Sequence, residues 1–461
     1  MDREHTLFLF DSRVIRGYRN LDVVLGEAEK HREALFKWKE KPVYRNYPNV
    51  FCDPEGKLRC YYTVVLETGE EDKGRGICKS RWDKESAWPV RHITALAYAE
   101  SRDGIRWECP DLGLVDYRGN CRNNLLRLYA HGSCVFYDAN EKCRERSYKL
   151  LTRDDRESGR MCVAFSEDGI HFGEYIYPEF NQRFIGDTHN FAFYDTKEKK
   201  YIMTTRTFNG CLRIVSCCES EDFITWSDYR NIFRGDYFDD QAYSMPLFYY
   251  GGLYFGLPSI FHEGDKDDLL NDKVECELIC GADTESFSRI APHKAFIPLG
   301  EGQESDSGCI YLSAPVERDD EFWFYYTGAR GWHIGFSDAN LHLARIKKSR
   351  LAGLKCKNAD REGRLITRPL TVKETYLILS AKVENTGYIK IRLMDDMENE
   401  IPGYDFDSFD NIQGDGEYRI SWNNKGIPET EKKYILEFIL YKADIYQLSG
   451  IICCVGHTKR G

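Results

Sequence analysis

Residues 187 to 190 read Asp-Thr-His-Asn, so an acid, a hydroxyl, an imidazole and an amide stand at the mouth of the strand-like run FAFYD. A carboxylate beside an imidazole can take or give a proton. The same residue types also suit a polar turn whose acid bonds local backbone N–H groups. Further carboxylates sit in mixed polar and apolar contexts: Asp306 in ESDSGCIY, Glu277 in DKVECELIC, Asp240 with Asp239 beside it, and Asp11 in FDSRVI. Two carboxyl groups brought together from distant parts of a chain, one protonated and one ionised, are what glycoside cleavage uses. Proximity and burial raise one pKa and leave the other low.

In such a site Asp187 is the first choice for general base, nucleophile or transition-state stabiliser. Asp306 is its partner acid or a sugar-hydroxyl acceptor, with a loop cap as the plainer role. Glu277, between Cys276 and Leu278, fits a general acid kept protonated by a pocket; strict alternation with Glu275 fits a solvated strand face equally well. Asp11 fits a catalytic or an arm-docking role, and Asp239 a loop charge. Asn49, His189, Asn190, Asp240 and Tyr243 are candidates to bond substrate hydroxyls. Arg206 and Arg213 are placed to orient a carboxylate or hold an anion, or to form rim ion pairs. Trp332 and His333 offer aromatic faces for a sugar ring or for the core.

Metal and nucleotide chemistry gain no support. The 17 cysteines include no C-x-x-C pair, and the C-x3-C of Cys276 and Cys280 lacks a companion cluster, so buried thiols in a reducing compartment are expected rather than zinc. No G-x-x-x-x-G-K-[ST], G-x-G-x-x-G or G-x-S-x-G stretch occurs. No cofactor is expected.

The elements that would position these residues repeat. LAYAESRDGIRW, CVAFSEDGIHF, RIVSCCESEDFITW, LICGADTESFSRI and HIGFSDANLHL share an apolar strand, an acid-containing turn and a second apolar run; the turn acids are Asp103, Asp168, Asp222, Asp283 and Asp338. A hairpin signal precedes each copy, as in NFAFYDTKEKKYIMTTR and MPLFYYGGLYFGLP. Five copies of a small antiparallel unit predict an all-β chain built as a five-bladed β-propeller over residues 46–350. Alternating runs such as TYLILSAKVE and YIKIRLMD then predict a C-terminal β-sandwich over residues 360–455. Residues 1–45 read as an extended N-terminal arm with a short helical piece. The openings of the innermost strands, where Tyr47, His131, Asp187, Asp240 and Asp306 lie, would converge on the axis.

The formal charge of −11 argues against a nucleic-acid footprint, which needs clustered positive charge. The basic stretch Lys347-Lys348-Ser349-Arg350 reads as a solvated turn. Leu7–Phe10 is too short for a signal peptide, and no run approaches a membrane span, so a cytoplasmic location is expected. A carbohydrate is the expected partner, without nucleic acid or membrane, and an oligomer is compatible with the sandwich.

A propeller followed by a sandwich resembles glycoside hydrolase family 32, and the propeller alone resembles families 43, 68 and 117. At residue level LFLFDSRVI, LAYAESRDGIRWECPDLGLVDY, GDTHNFAFYD, ESEDFITWS, YSMPLFYYGGLYFGL, AFIPLG, DSGCIY, LITRPL and KADIYQL are similar to bacterial proteins described as glycosyl hydrolase family 32 N-terminal domain-like. The resemblance spans most of the chain and implies a glycosidase, with a glycoside phosphorylase or a non-catalytic carbohydrate-binding protein as alternatives on the same fold. Family 32 places acids in N-D-P-N-G, R-D-P and E-C motifs on blades one, three and four. Here Tyr47-Pro48-Asn49-Val50 and Tyr243-Ser244-Met245-Pro246 lack the acid at the first and last of these, and only Asp187 matches.

Overall fold

The computed structural model describes residues 5–37, 47–71, 78–79, 85–86, 90–156, 159–179, 186–236, 240–263, 270–333 and 339–453. Asp239 and Asp338 lie outside them. Among the described residues the regular structure is all-β, apart from single 3₁₀ turns such as Arg144–Arg146 and Lys348–Arg350.

Small antiparallel sheets form a propeller-like ring. The first contains Asn49–Cys52, Leu58–Glu71, Val90–Ser101 and Leu125–Leu128. The second contains Ala130–Tyr137, Tyr148–Asp154 and Arg160–Ser166, with an isolated bridge from Val163 to Ile176 beyond them. The third runs Phe191–Asp195, Lys200–Asn209, Leu212–Ser220 and Arg230–Arg234, and the fourth Leu247–Tyr250, Leu253–Gly256, Ile279–Gly281 and Ser288–Arg289. A nine-stranded sheet follows. It joins Asp240–Ser244, Ser259–His262 and Val274–Cys276 to Cys309–Leu312, Glu321–Ala329 and Ala339–Lys347 through one parallel pair, Val274 with Cys309.

Local sequence explains the recurring Ser-x-Asp turn. Ser101 Oγ accepts from the Gly104 N–H while Asp103 Oδ1 accepts from the N–H groups of Ile105 and Arg106. Ser166 with Asp168 and Ser220 with Asp222 repeat the geometry. The backbone donors hold Asp103 below its ordinary range; at Asp168 and Asp222 burial pulls upward and the hydrogen bonds outweigh it. The residue after each acid takes a left-handed conformation: Gly104, Gly169, and in the third copy Phe223, with φ of 65° and its ring buried in the core. These acids are turn-builders at the sheet margins.

Hydrogen bonds also cross the seams between neighbouring sheets. The Val135 N–H donates to Asn49 Oδ1 at 2.6 Å, Asn190 Nδ2 to the Gly132 carbonyl at 2.9 Å, Thr204 Oγ1 to the Met245 carbonyl at 2.7 Å, and the Val50 N–H to Ser313 Oγ at 2.9 Å. The large cores between sheets are apolar and aromatic.

The N-terminal segment corrects the expectation of a partly helical arm. Thr6–Phe8, Ile15–Arg19 and Leu21–Leu25 are strands of a ten-stranded C-terminal sheet, pairing with 447–449, 364–367 and 352–356. Glu29–Lys30 and Phe36–Lys37 then pair along the outer edge of Ala339–Lys347. The long strands Ile378–Asp395 and Lys433–Ser449 form the spine of the C-terminal sheet, over a core centred on Trp422, whose Nε1 donates to the Ile391 carbonyl. Asp11 serves this docking: it holds Arg13 at 2.7 Å, and Arg13 donates to the Gly252 carbonyl of the fourth sheet.

Gly132 sits at a tight seam between the second and third sheets. Its φ is 59°, and a Cβ there would lie 1.7 Å from the Thr188 carbonyl oxygen. Gly132→Ala is expected to cost about 2–4 kcal/mol in urea unfolding. Gly210→Ala, at a comparable φ of 61° with nothing within 4 Å, should cost only about 1 kcal/mol. Equal losses would remove the steric argument.

Candidate active site

Five rings meet at the axis, drawn from the inner strands and the residues just before them. Tyr47, fully buried, stacks on His131 at 6.1 Å and on His189 at 5.4 Å, and meets Tyr311 edge-on at 5.3 Å. Its hydroxyl and that of Tyr243 are 2.9 Å apart. His333 closes on the other side of Tyr243 at 5.0 Å. Among the described residues this layer fills the channel with rings.

Asp187 stands at the channel mouth and is the exposed member of its quartet, its side chain 42% accessible while Thr188, His189 and Asn190 are buried. Three cationic or potentially cationic groups surround it: Arg206 at 3.3 Å, Arg153 at 3.4 Å and His131 at 3.5 Å. Two of them continue to a second carboxylate. His131 Nδ1 lies 3.3 Å from Asp155, and Arg153 Nε lies 2.9 Å from it. One imidazole therefore spans two carboxylates, Asp155 at Nδ1 and Asp187 at Nε2. Burial alone would raise Asp155, but His131, Thr94 and Arg153 together hold it below the usual carboxylate range.

Arg206 is 5% exposed and lies against two rings, Tyr243 at 4.6 Å and Phe208 at 5.2 Å. Arg213 donates to Gln241 Oε1 at 2.6 Å, lies 3.6 Å from Glu263, and covers the Phe261 ring at 4.8 Å. The mouth is thus lined by guanidinium groups, with Asp187, Asp155 and Glu263 as their carboxylate partners.

The structure brings Asp187, Arg206 and Tyr243 together with His189 in the ring layer below. It does not bring the other proposed acids to Asp187. Asp306 is 5% exposed and locked by Lys30 at 2.7 Å and the Tyr326 hydroxyl at 2.8 Å; burial pulls it upward, and the Lys30 ammonium and that hydroxyl hold it below its ordinary value. Glu277 and Asp240 belong to another cluster. Arg289 donates to Glu277 at 2.8 Å and to Asp240 at 2.5 Å and also pairs with Asp236. Burial pushes Glu277 up to about 7, with Arg289 opposing and Asp240 reinforcing the rise. Glu277 and Glu275 do not share a face: the strand ends at Cys276, Glu275 turns to His262 at 3.1 Å, and Glu277 turns inward to Arg289. Asp236, Asp240 and His293 bring three possible metal-ligand atoms within 4.8 Å of one another, but the Arg289 guanidinium already spans both acids.

Two amides are held in the framework. Asn49 accepts from the second sheet, and Asn190 donates to the Gly132 and Gly186 carbonyls while accepting from Thr205. Both are buried, so neither presents its amide to the mouth. Trp332 is 47% exposed, and His333 is buried against Tyr243 and Phe261. The residues that the sequence reading passed over are Asp155 and Arg153. Their signal was the run RDDR at the end of an apolar strand, which places charge where the second sheet reaches the mouth.

The sequence matches no protein-family model and no curated protein. Solved structures with a similar chain path bear the names of glycoside hydrolases and other carbohydrate-active enzymes. They include a β-1,2-mannobiose phosphorylase from Listeria innocua (11% identity, 70% of this chain and 98% of that one, TM-score 0.48). An α-L-arabinofuranosidase from Podospora anserina is similar over 70% of this chain and 98% of its own (11% identity, TM-score 0.46). An N-acetylgalactosamine deacetylase from F. plautii is similar over 72% and 97% (14% identity, TM-score 0.45). Three different reactions at such distance leave the chemistry to be read from this chain's own residues. No helix among the described residues is long and apolar enough to cross a membrane.

The ring layer yields a pH prediction. His189 is 1% exposed, its two ring nitrogens lack hydrogen-bond partners among the described residues, and burial lowers it from 6.5 to about 3. The folded state therefore disfavours its proton, while the unfolded chain binds one below about 6.5. Its contribution is complete above pH 6.5 and is lost as pH falls towards 3. His189→Phe keeps a ring against Tyr47 and removes the titration. Its stability relative to the parent, from urea unfolding at several pH values, should rise progressively as pH drops from 6.5 to 4. A constant difference would show that His189 does not titrate as described.

Proposed function

We propose that the chain is a glycoside-active enzyme that cleaves a glycosidic bond in a small glycoside or oligosaccharide at the mouth of a five-bladed β-propeller. The observation that carries this reading is Asp187: an accessible carboxylate at the convergence of the inner strands, tied through one imidazole and one guanidinium to a second, half-buried carboxylate. The first four sheets are four blades. Cys309–Leu312, Glu321–Ala329 and Ala339–Lys347, with the N-terminal strand Glu29–Lys30 outside them, are the fifth. The C-terminal strands, joined by Thr6–Phe8, Ile15–Arg19 and Leu21–Leu25, fold over the core around Trp422 as the sandwich.

In this reading Asp187 touches substrate. Asp155 is a positioning residue that stays ionised, fixes the His131 ring and holds Arg153. His131 is the group through which a proton reaches or leaves Asp187, because an imidazole can donate at one nitrogen while accepting at the other. Arg206, desolvated between rings, offsets negative charge that develops beside Asp187. Glu277, pushed up to about 7, has the protonation behaviour of a general acid, but its partners are Arg289 and Asp240. We assign it and Asp306 to framework ion pairs.

A phosphorylase is the second reading, favoured specifically by Arg153, Arg206 and His131 around one point at the mouth. Product from a panel of aryl glycosides and disaccharides that forms only when inorganic phosphate is added would select it. Product in phosphate-free buffer would select hydrolysis. Binding in calorimetry without any product would select a carbohydrate-binding protein.

Asp187→Asn is expected to lower kcat/KM by about 10³-fold or more with the fold retained. Unchanged turnover would remove Asp187 from the chemistry. Asp306→Asn should act oppositely, costing about 3 kcal/mol in stability by stranding Lys30 while leaving kcat within a few-fold. A loss of kcat as large as that of Asp187→Asn in a folded protein would reinstate it as the partner acid.

A further inference from the structure

Beside the ring layer lies a cleft of about 460 Å³, lined by Lys273, Gly300, Gly302, Gln303, Ser307, Arg330, Gly331 and Trp332. It adjoins the mouth through the chain itself. Trp332 precedes His333, whose ring packs on Tyr243, and Tyr243 lies under Arg206. Ser307 belongs to the opening that leads into Cys309–Leu312.

The lining has three properties. Trp332 presents an indole that is 47% exposed, the largest flat side chain on the cleft wall. The charged lining residues are both cations, Lys273 and Arg330. Of the acids around it, Asp306 is bound by Lys30 and Tyr326, Asp272 faces His333 at 3.9 Å, Glu304 accepts from the Glu301 N–H, and Glu301 stands exposed between Gly300 and Gly302. Arg330 contacts the neutral amide of Gln303 at 3.3 Å. In a chain of formal charge −11, a cleft whose charged lining among the described residues is Lys273 and Arg330 is a local concentration of positive charge.

We propose that this cleft is a subsite for a sugar ring bearing a carboxylate, a uronic-acid residue, adjacent to the one cleaved at Asp187. Trp332 stacks on the ring's apolar face, and Arg330 and Lys273 receive the carboxylate, the first through its planar fork and the second as a point charge. The inference rests on the glycoside-active reading and specifies its substrate: an acidic oligosaccharide.

The test is binding, independent of turnover. Methyl β-glucuronide, methyl β-glucoside and methyl β-glucoside 6-sulfate are titrated against the full chain, with tryptophan fluorescence as the signal. The glucuronide should bind about tenfold or more tightly than the glucoside at low salt, a difference of roughly 1.4 kcal/mol, and the preference should shrink as salt rises. Trp332→Phe should remove most of the signal, and Lys273→Gln with Arg330→Gln should bring the two sugars to equal affinity. Equal binding by the parent, or a preference that survives the double substitution, would overturn the proposal; tighter binding of the sulfate than of the glucuronide would overturn the carboxylate assignment. The readout is binding alone and requires no turnover. Failure of the cleft and failure of Asp187 in turnover are therefore read separately.

Discussion

The packing of Tyr47 against its neighbours is the constraint on which the remainder depends. A ring of sheets whose inner strands meet leaves an axial gap that must be filled with side chains or water. Here Tyr47, His131, His189, Tyr243 and Tyr311 close it with rings in offset and edge-on contact. The floor of the channel is therefore made of rings, and charge sits at the lip, where Asp187, Arg153 and Arg206 stand. The lip combines one accessible acid with guanidinium and imidazole partners.

Long-range strand pairing does the rest of the positioning. Glu29–Lys30 and Phe36–Lys37 cover the outer edge of Ala339–Lys347, so the last sheet of the ring is finished by the beginning of the chain. Lys30, on that strand, supplies the counter-charge of Asp306. The same segment first threads through the C-terminal sheet. The two parts of the molecule therefore share their N-terminal strands, and Arg13 ties that segment to the fourth sheet's hairpin at Gly252. An acid that looks catalytic by its place in the sequence is neutralised by a residue 276 positions away.

That distance separates what was legible from what was not. Hairpins and Ser-x-Asp turns are local, and their signals, alternating apolar runs with Gly, Asn or Asp between them, lie within a few residues; they were readable as a repeat. So was the polar opening at Asp187. The N-terminal strands were not, because Leu21–Leu25 is extended only by virtue of Ala352–Cys356, and NLDVVLGEAEKH carries helix formers that tertiary pairing overrides. Of the two readings of Glu277, the solvated face fails because alternation holds only while a strand continues, and this one stops at Cys276. Asn49 and Asn190 were read as ligands because an amide at a strand mouth looks the same in sequence whether it faces a sugar or a neighbouring sheet. Asp155 was missed because RDDR resembles a solvated turn until Thr94 and His131, from two other strands, are seen to meet it.

The state of Arg206 shows why the lip is more than a set of surface ion pairs. An exposed arginine–carboxylate contact contributes little, since water competes for both partners. Arg206 is 5% exposed, with Tyr243 on one side and Phe208 near it on another, so much of its hydration is already gone. Its charge must then be met by what remains within reach, and Asp187 at 3.3 Å is its ion-pair partner. The asymmetry of the pair follows: the cation is fixed and dry, while the acid keeps one side open to the mouth. A ligand arriving there meets a carboxylate already oriented by Arg206, Arg153 and His131 and has little reorganisation to drive. Under the proposed function, fixing the partners in advance, rather than the strength of any single contact, is what the arrangement would contribute.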